Sequence, residues 1–286
     1  MNNKVSFYTL GCKLNFSETS TIAREFLING YKKVSFDSYE ADYYVINTCT
    51  VTENANKECR KLINKIKKNN NKSYILVTGC YAQLKPNEIL EIQGVNAVVS
   101  NSNKNKIFDI LNDKKDNFLC HSEIDSNNFY ESYSLNDRTR TFLKIQDGCD
   151  YKCTFCTIPM ARGGSRNQSI SKTIMQAKTI IEKGVNEIVL TGVNIGDFGK
   201  STNETFFSLV KKLEKIDSKI RIRISSIEPN LLTKEIIDFI SISKNFVPHF
   251  HIPLQSGSNK ILKLMRRRYD NKKYYNCIDY LSKTIP

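Results

Sequence analysis

The chain has 286 residues, 40% hydrophobic and 25% charged, and its 43 Lys and Arg against 29 Asp and Glu give a formal net charge of +14 and a pI near 9.3. It is longer than one average domain, and no apolar run is long enough to span a bilayer, so a soluble, cytoplasmic, monomeric protein of two domains is expected and a membrane partner is not. Nine cysteines follow a start, Met1-Asn2-Asn3-Lys4, that leads straight into a strand-like run with no secretory signal. Reduced cytosolic thiols, not disulfides, are the expectation.

In chain order, three β-rich apolar runs come first. Residues 5–11 end at Cys12, residues 43–48 at Cys49 and residues 74–79 at Cys80, and each cysteine is followed by a helix-like segment. Strand, cysteine, helix repeated three times predicts a parallel sheet with helical crossovers, whose carboxyl ends share one edge, where ligands bind. Cysteines far apart in sequence then converge, and a metal or cluster site is favoured over scattered buried thiols. Cys59 and Cys277 lie in helix-like stretches and Cys120 in a polar connector, so these three read as small hydrophobic side chains. A basic run, Lys57, Arg60, Lys61, Lys65, Lys67, Lys68 and Lys72, follows the second cysteine.

Residues 113–138 are polar and poor in periodic apolar positions, which divides the chain into an N-terminal domain over 1–115, a linker over 116–137 and a second domain over 138–286. Thr141-Phe142-Leu143-Lys144-Ile145 opens a second βα series. Strands are expected at 187–191, 220–225 and 247–254, with helices beginning near Ser169, Asn203, Thr233 and Ser258. The alternation predicts a barrel-like parallel sheet with its site at the carboxyl ends of the strands.

Between the first strand and helix of this series stands Gly148-Cys149-Asp150-Tyr151-Lys152-Cys153-Thr154-Phe155-Cys156, spaced C-x₃-C-x₂-C. A cubane [4Fe–4S] cluster normally takes four thiolates. Three on one loop point to an iron left open for an outside ligand, and S-adenosylmethionine (SAM), whose cleavage by such a cluster yields radicals, is the candidate. A zinc knuckle needs four ligands, and the nearest downstream histidine is His249. A disulfide loop is the other alternative.

Around the expected strand ends, Gly192, Asn194, Gly196 and Gly199 would let backbone approach a ligand, although an ordinary loop has the same composition. Ser225, Ser226 and Glu228 end the next strand, and His251, Gln255, Ser256 and Ser258 the last. Glu228 fits a cofactor ammonium or ribose, or else a helix cap ahead of Thr233. Arg162 and Arg166, just after the cysteine loop, suit a cofactor carboxylate or substrate phosphates better than bare solvent. A second basic run, Lys260, Lys263, Arg266, Arg267, Arg268, Lys272 and Lys273, follows. Either run could be a solvated helix face, but an excess of this size attracts polyanions, and RNA is the expected partner.

Tyr8-Thr9-Leu10-Gly11-Cys12-Lys13-Leu14-Asn15, Asn47-Thr48-Cys49-Thr50-Val51, Thr78-Gly79-Cys80-Tyr81-Ala82-Gln83 and Gln146-Asp147-Gly148-Cys149 through Ala161-Arg162-Gly163 together resemble the radical SAM methylthiotransferases. Gly-Cys-Lys-x-Asn and Thr191-Gly192-Val193-Asn194-Ile195-Gly196 are most similar to the branch acting on N6-threonylcarbamoyladenosine in tRNA. The resemblance implies an α/β fold, an N-terminal parallel-sheet methylthiotransferase domain plus a partial radical-SAM (βα) barrel. It implies two [4Fe–4S] clusters, one on Cys149, Cys153 and Cys156 that cleaves SAM, and an auxiliary one on Cys12, Cys49 and Cys80 that presents methylated sulfur.

The same resemblance implies that C2 of the modified adenosine in a tRNA anticodon loop is methylthiolated, with an electron donor such as flavodoxin or ferredoxin. Gly192, Asn194, Ser225, Glu228, Gln255, Ser256 and Arg162 are the implied cofactor contacts. The family continues beyond the position of Pro286 with two more strands and a small RNA-binding β-domain, so a C-terminally truncated barrel is expected. Competing readings are an enzyme for isopentenyladenosine or for a ribosomal-protein side chain, and a non-catalytic iron–sulfur or zinc RNA-binding module.

Overall fold

The computed structural model describes residues 3–49, 53–113, 116–125, 128–135, 139–216 and 219–285. Thr50 and Val51 of the second motif, and the expected linker borders at Lys115, Asn136, Asp137 and Arg138, lie outside the described residues. The chain forms two compact units: residues 1–125, 132–134 and 160–163 make the first, and residues 126–131, 135–159 and 164–286 the second.

The first unit is built on an all-parallel sheet of β1 (Lys4–Thr9), β2 (Lys32–Lys33), β3 (Tyr43–Thr48), β4 (Tyr74–Gly79), β5 (Ala97–Val99) and β6 (Phe118–Cys120), in the order β2-β1-β3-β4-β5-β6. Strand side chains alternate between two faces, and here both faces are covered. Tyr43, Val45 and Leu76 pack with Ile22 and Phe26 of the helix Lys13–Ile28, whereas Tyr44, Ile46 and Val77 pack with Cys59, Ile63 and Ile66 of the helix Glu53–Asn69. That double burial is why the central strands read as continuous apolar runs without alternation. Each such side chain taken from water contributes about 1.5–3 kcal/mol.

The strand order reverses between β1 and β3, which makes the carboxyl ends of these two strands the crevice where ligands bind in open parallel sheets. β5 and β6 are too short to show in the sequence. β6 also corrects the linker, which was expected to begin at residue 116: Phe118–Cys120 is a sheet strand paired with β5. Ser132 is buried with its hydroxyl 3.0 Å from that of Ser17, so part of the polar stretch packs on the first helix rather than running as a free tether.

In the second unit β7 (Thr141–Lys144), β10 (Glu187–Thr191) and β11 (Arg221–Ile224) form a parallel sheet in the order β11-β10-β7, while β8 (Gln146–Asp147) and β9 (Arg166–Asn167) pair antiparallel at the two ends of the cysteine segment. Helices Ile170–Glu182, Phe206–Leu213 and Lys234–Ser241 bury Ile180, Leu209, Leu213, Ile237 and Ile240. Each helix starts one residue after a Ser or Thr N-cap, namely Ser169, Thr205 and Thr233, close to where capping chemistry predicts.

The fourth expected strand, 247–254, does not form. Among the described residues, the chain makes an isolated parallel bridge just before this segment, Ile222 with Phe246, and one within it, Ser226 with His251. Pro248 and Pro253 have no N–H to give a ladder, so the segment runs beside β11 without becoming a continuous strand. Among the described residues no helix is long and apolar enough to cross a membrane.

Candidate functional site

In the first unit β1, β3 and β4 deliver their cysteines to one edge. The register pairs Thr9 with Asn47 and Thr48 with Gly79, so the three strands end level. Tight turns then place each thiol. Gly11 has φ +103°, and a Cβ there would lie 2.6 Å from Cβ and 2.9 Å from Sγ of Cys49. The Cys12 loop and Cys49 are therefore in contact.

Gly79 has φ +105° and backs onto Thr48, where a Cβ would lie 2.3 Å from the carbonyl oxygen. Two buried asparagines hold these turns together. Nδ2 of Asn15 donates to the carbonyls of Leu10 and Thr48, both at 2.9 Å, and Nδ2 of Asn47 donates to the carbonyl of Asn15 at 2.9 Å. Cys12 is exposed, and Cys49 and Cys80 are buried.

Next to them lies a buried ionic cluster that the sequence did not announce. Glu18 accepts from Arg162 at 3.0 and 3.1 Å and from the ammonium of Lys104, and Arg162 also donates to Oδ1 of Asn15 at 2.5 Å. Burial pushes the Lys104 ammonium below its usual range, opposed by Glu18. Asn101 joins this cluster to the thiols: its Nδ2 lies 3.6 Å from Cys80 Sγ and donates to the Ala161 carbonyl at 2.7 Å. Arg162, expected among the cofactor contacts beside the C-x₃-C-x₂-C loop, belongs instead to the first unit, where its guanidinium is bound to Glu18 and Asn15. Local sequence put it beside the loop, but the carboxylate that claims it is 144 residues away.

In the second unit the strand ends form a polar layer. The amide of Ile145 donates to the carbonyl of Thr191 at 2.9 Å, that of Ser225 to Leu190 at 3.2 Å, and that of Ile227 to His251 at 3.1 Å. Gln146 is buried at its centre. Nε2 of Gln146 donates to the carbonyl of Gly148 at 2.7 Å and to Oγ of Ser165 at 2.9 Å, while Oε1 accepts the Asn194 amide at 2.9 Å. Gly192 is needed here, because a Cβ would come within 2.8 Å of Gln146 Oε1. One side chain thus ties the cysteine loop to the loop after β10.

Among the described residues, Asn194 Oδ1, Ser225 Oγ and Asn230 Oδ1 are buried polar atoms without a hydrogen-bond partner. Gln255, in the left-handed region at φ 63°, is exposed, and the Ser256 hydroxyl accepts from the Ser258 amide at 3.1 Å. These two are not held by the network that gathers Gln146, Asn194 and Gly192. Arg166, the other arginine after the loop, is bound to Asp147 at 3.2 Å and to the Asn128 carbonyl at 2.8 Å.

Glu228 pairs with Arg267, and burial raises its carboxyl above the usual range against the pull of that guanidinium. Arg267 stands in the second basic run, yet its side chain is buried, and its Nη1 donates to Cys153 Sγ at 3.3 Å. The amide of Tyr151 donates to Cys149 Sγ at 3.4 Å, and that of Ile158 to Cys156. Burial nevertheless pushes the Cys149 thiol up to about 11, with the neighbouring thiols adding to the rise. Among the described residues no three His, Cys, Asp or Glu side chains stand together as a metal ion would hold them.

The donor set nonetheless fits an iron–sulfur cluster. Three thiols share one short loop and each accepts a hydrogen bond, and ligation would expel the protons that burial retains on Cys149 and Cys156. The unpaired Asn194 and Ser225 oxygens at the strand ends fit the polar groups of an organic cofactor.

The profile of an uncharacterized protein family, UPF0004, matches residues 4–100, and that of the radical SAM superfamily matches residues 143–286. The chain is 40% identical to a threonylcarbamoyladenosine tRNA methylthiotransferase of Bacillus subtilis, over 99% of the chain and 64% of that protein. It is 37% identical to the protein of that name in Aquifex aeolicus, over 99% of the chain and 70% of the relative. A tRNA-2-methylthio-N6-dimethylallyladenosine synthase of Thermodesulfovibrio yellowstonii is 30% identical over 97% of the chain and 65% of its own length.

Among solved structures, the radical SAM methyltransferase TsrM of Kitasatospora setae superimposes with a TM-score of 0.67 over 99% of the chain and 66% of its own, at 10% identity, a likeness of fold. The chain thus spans just under two thirds of the Bacillus relative. The level strand ends, the two sets of three cysteines and these matches agree: the chain belongs to the radical S-adenosylmethionine methylthiotransferase family, whose cofactors are SAM and [4Fe–4S] clusters.

Proposed function

We propose that the protein methylthiolates C2 of N6-threonylcarbamoyladenosine beside the anticodon of tRNA, in the cytoplasm, with electrons from a flavodoxin or ferredoxin. The observation that carries this reading is the pair of three-cysteine sets, the first at the carboxyl ends of three parallel strands and the second on one loop between β8 and β9, each one thiolate short of the four that a cubane cluster normally takes. When bound, the clusters supply the electron that cleaves SAM and the sulfur that is transferred.

The chain's own residues hold and shape the sites. Cys149, Cys153 and Cys156 would hold one cluster, and Cys12, Cys49 and Cys80 the other. Gln146 fixes the first loop against the loop after β10, and Asn194 and Ser225 offer buried oxygens to the cofactor. Glu228, Gln255 and Ser256 would add further polar contacts to the cofactor. A net charge of +14 draws the polyanion, and a base in a single-stranded loop is open to chemistry at C2. The higher identity to the threonylcarbamoyladenosine enzymes than to the dimethylallyladenosine synthase supports the choice of nucleoside.

The test is mass spectrometry of tRNA nucleosides from a strain lacking this gene. Threonylcarbamoyladenosine without its 2-methylthio group should accumulate, and complementation should restore the thiolated form. Accumulation of isopentenyladenosine instead would keep the chemistry and overturn the substrate.

A further inference from the structure

The basic run at 260–273 divides between surface and interior. The helix Asn259–Leu264 ends in a left-handed residue, Arg266 at φ 57°; the Arg267 amide donates to the carbonyl of Leu262 at 2.9 Å, and that of Arg266 to Lys263 at 3.0 Å. This is the six-to-one and five-to-two pairing of a Schellman stop, which turns the chain sharply. The turn brings the helix end to the cysteine loop. Thr154 donates through its amide to Met265 at 3.4 Å and through its hydroxyl to Leu264 at 3.3 Å.

The Arg268 guanidinium stacks 5.1 Å from the Tyr151 ring centroid. Arg267 reaches further, between the Glu228 carboxylate and the Cys153 sulfur. A buried guanidinium against a cysteine sulfur is not an RNA contact. A hydrogen bond and a positive charge at a ligating sulfur stabilise the more negative, reduced state of an iron–sulfur cluster.

We propose that Arg267 is a positioning residue for the cluster held by Cys149, Cys153 and Cys156: its hydrogen bond to Cys153 raises the reduction potential of that cluster, and Glu228 holds the guanidinium in place while offsetting part of its charge. This rests on the cluster assignment made above. Of the seven cations in the run, Arg267 is thereby withdrawn from the polyanion surface and given to electron transfer.

The experiment is a redox titration, followed by electron paramagnetic resonance, of the anaerobically reconstituted chain without SAM, reading the signal that Cys153→Ala abolishes. Arg267→Met should leave the iron content unchanged and lower the ratio of reduced to oxidised cluster at a fixed poise about tenfold, which for a one-electron couple is about 59 mV. Arg267→Lys, which keeps the charge but loses the fork, should fall between. Glu228→Gln should move the potential upward, and it decides the matter if Arg267→Met fails to retain iron. Wild-type potentials in Arg267→Met with iron intact, or in Glu228→Gln, overturn the proposal. Absence of the Cys153-dependent signal from the wild-type chain would instead sink the cluster assignment itself, and the role of Arg267 with it.

Discussion

Cys59 and Cys153 show how the same side chain is assigned opposite work by its surroundings. Cys59 sits among Ile63, Ile66 and Tyr44 with no exposed surface, and burial pushes its thiol up to about 12. At pH 8 only about one thiol in ten thousand would be ionised there, so Cys59 should resist alkylation in the folded protein while exposed Cys12 reacts. Peptide mapping after brief iodoacetamide treatment checks this, and rapid labelling of Cys59 would contradict its placement. Cys153 should behave as a ligand. Replacing it by alanine removes one of three thiolates with no substitute among the described residues nearby, so iron in the reconstituted protein should fall by about half. Undiminished 5′-deoxyadenosine formation by Cys153→Ala would show that SAM is cleaved elsewhere.

At the scale of elements, the geometry of the strand ends sets sharp limits on substitution. Gly79, the last residue of β4 and the one before Cys80, stands at φ +105°, with the Thr48 backbone 2.3 Å from where a Cβ would stand. Gly79→Ala should cost about 1–3 kcal/mol in backbone conformation, with the push against β3 in addition. Because that push falls on the turn bearing Cys49, iron held by the first unit should be lost alongside thermal stability, as iron analysis and calorimetry would show. Helix caps make milder demands. The Ser169 hydroxyl accepts the Lys172 amide at 3.4 Å, and Ser169→Ala should cost about 1 kcal/mol, which for a unit of this size lowers Tm by about 2–4 °C without altering iron content.

For the whole molecule, the charge excess and the two cysteine sets make separate demands. If the +14 charge drives association with tRNA, the logarithm of the binding constant should fall linearly with the logarithm of salt concentration, by about 0.9 for each duplex phosphate neutralised, and a flat response would count against an electrostatic interface. Cys49→Ala should leave SAM cleavage intact while abolishing the 2-methylthio nucleoside in a complemented deletion strain, and wild-type nucleoside levels would refute a role for the first set.

The placement of the cysteines was readable in the sequence, because a continuous apolar run followed by a turn fixes a strand end wherever the fold takes it. Helix starts at Ser169 and Thr233 were readable for the same local reason, since a cap acts within three residues. Arg162, Arg267 and Gln146 were decided by tertiary structure. Their partners Glu18, Cys153 and Asn194 lie 144, 114 and 48 positions away, and a long basic or polar side chain looks the same in sequence whether it faces solvent, a buried carboxylate or a sulfur. Local patterns determined where the thiols stand, and only the fold decided which charges stand beside them, because pairing of buried charges depends on what comes within a few ångströms and not on what is adjacent in the chain.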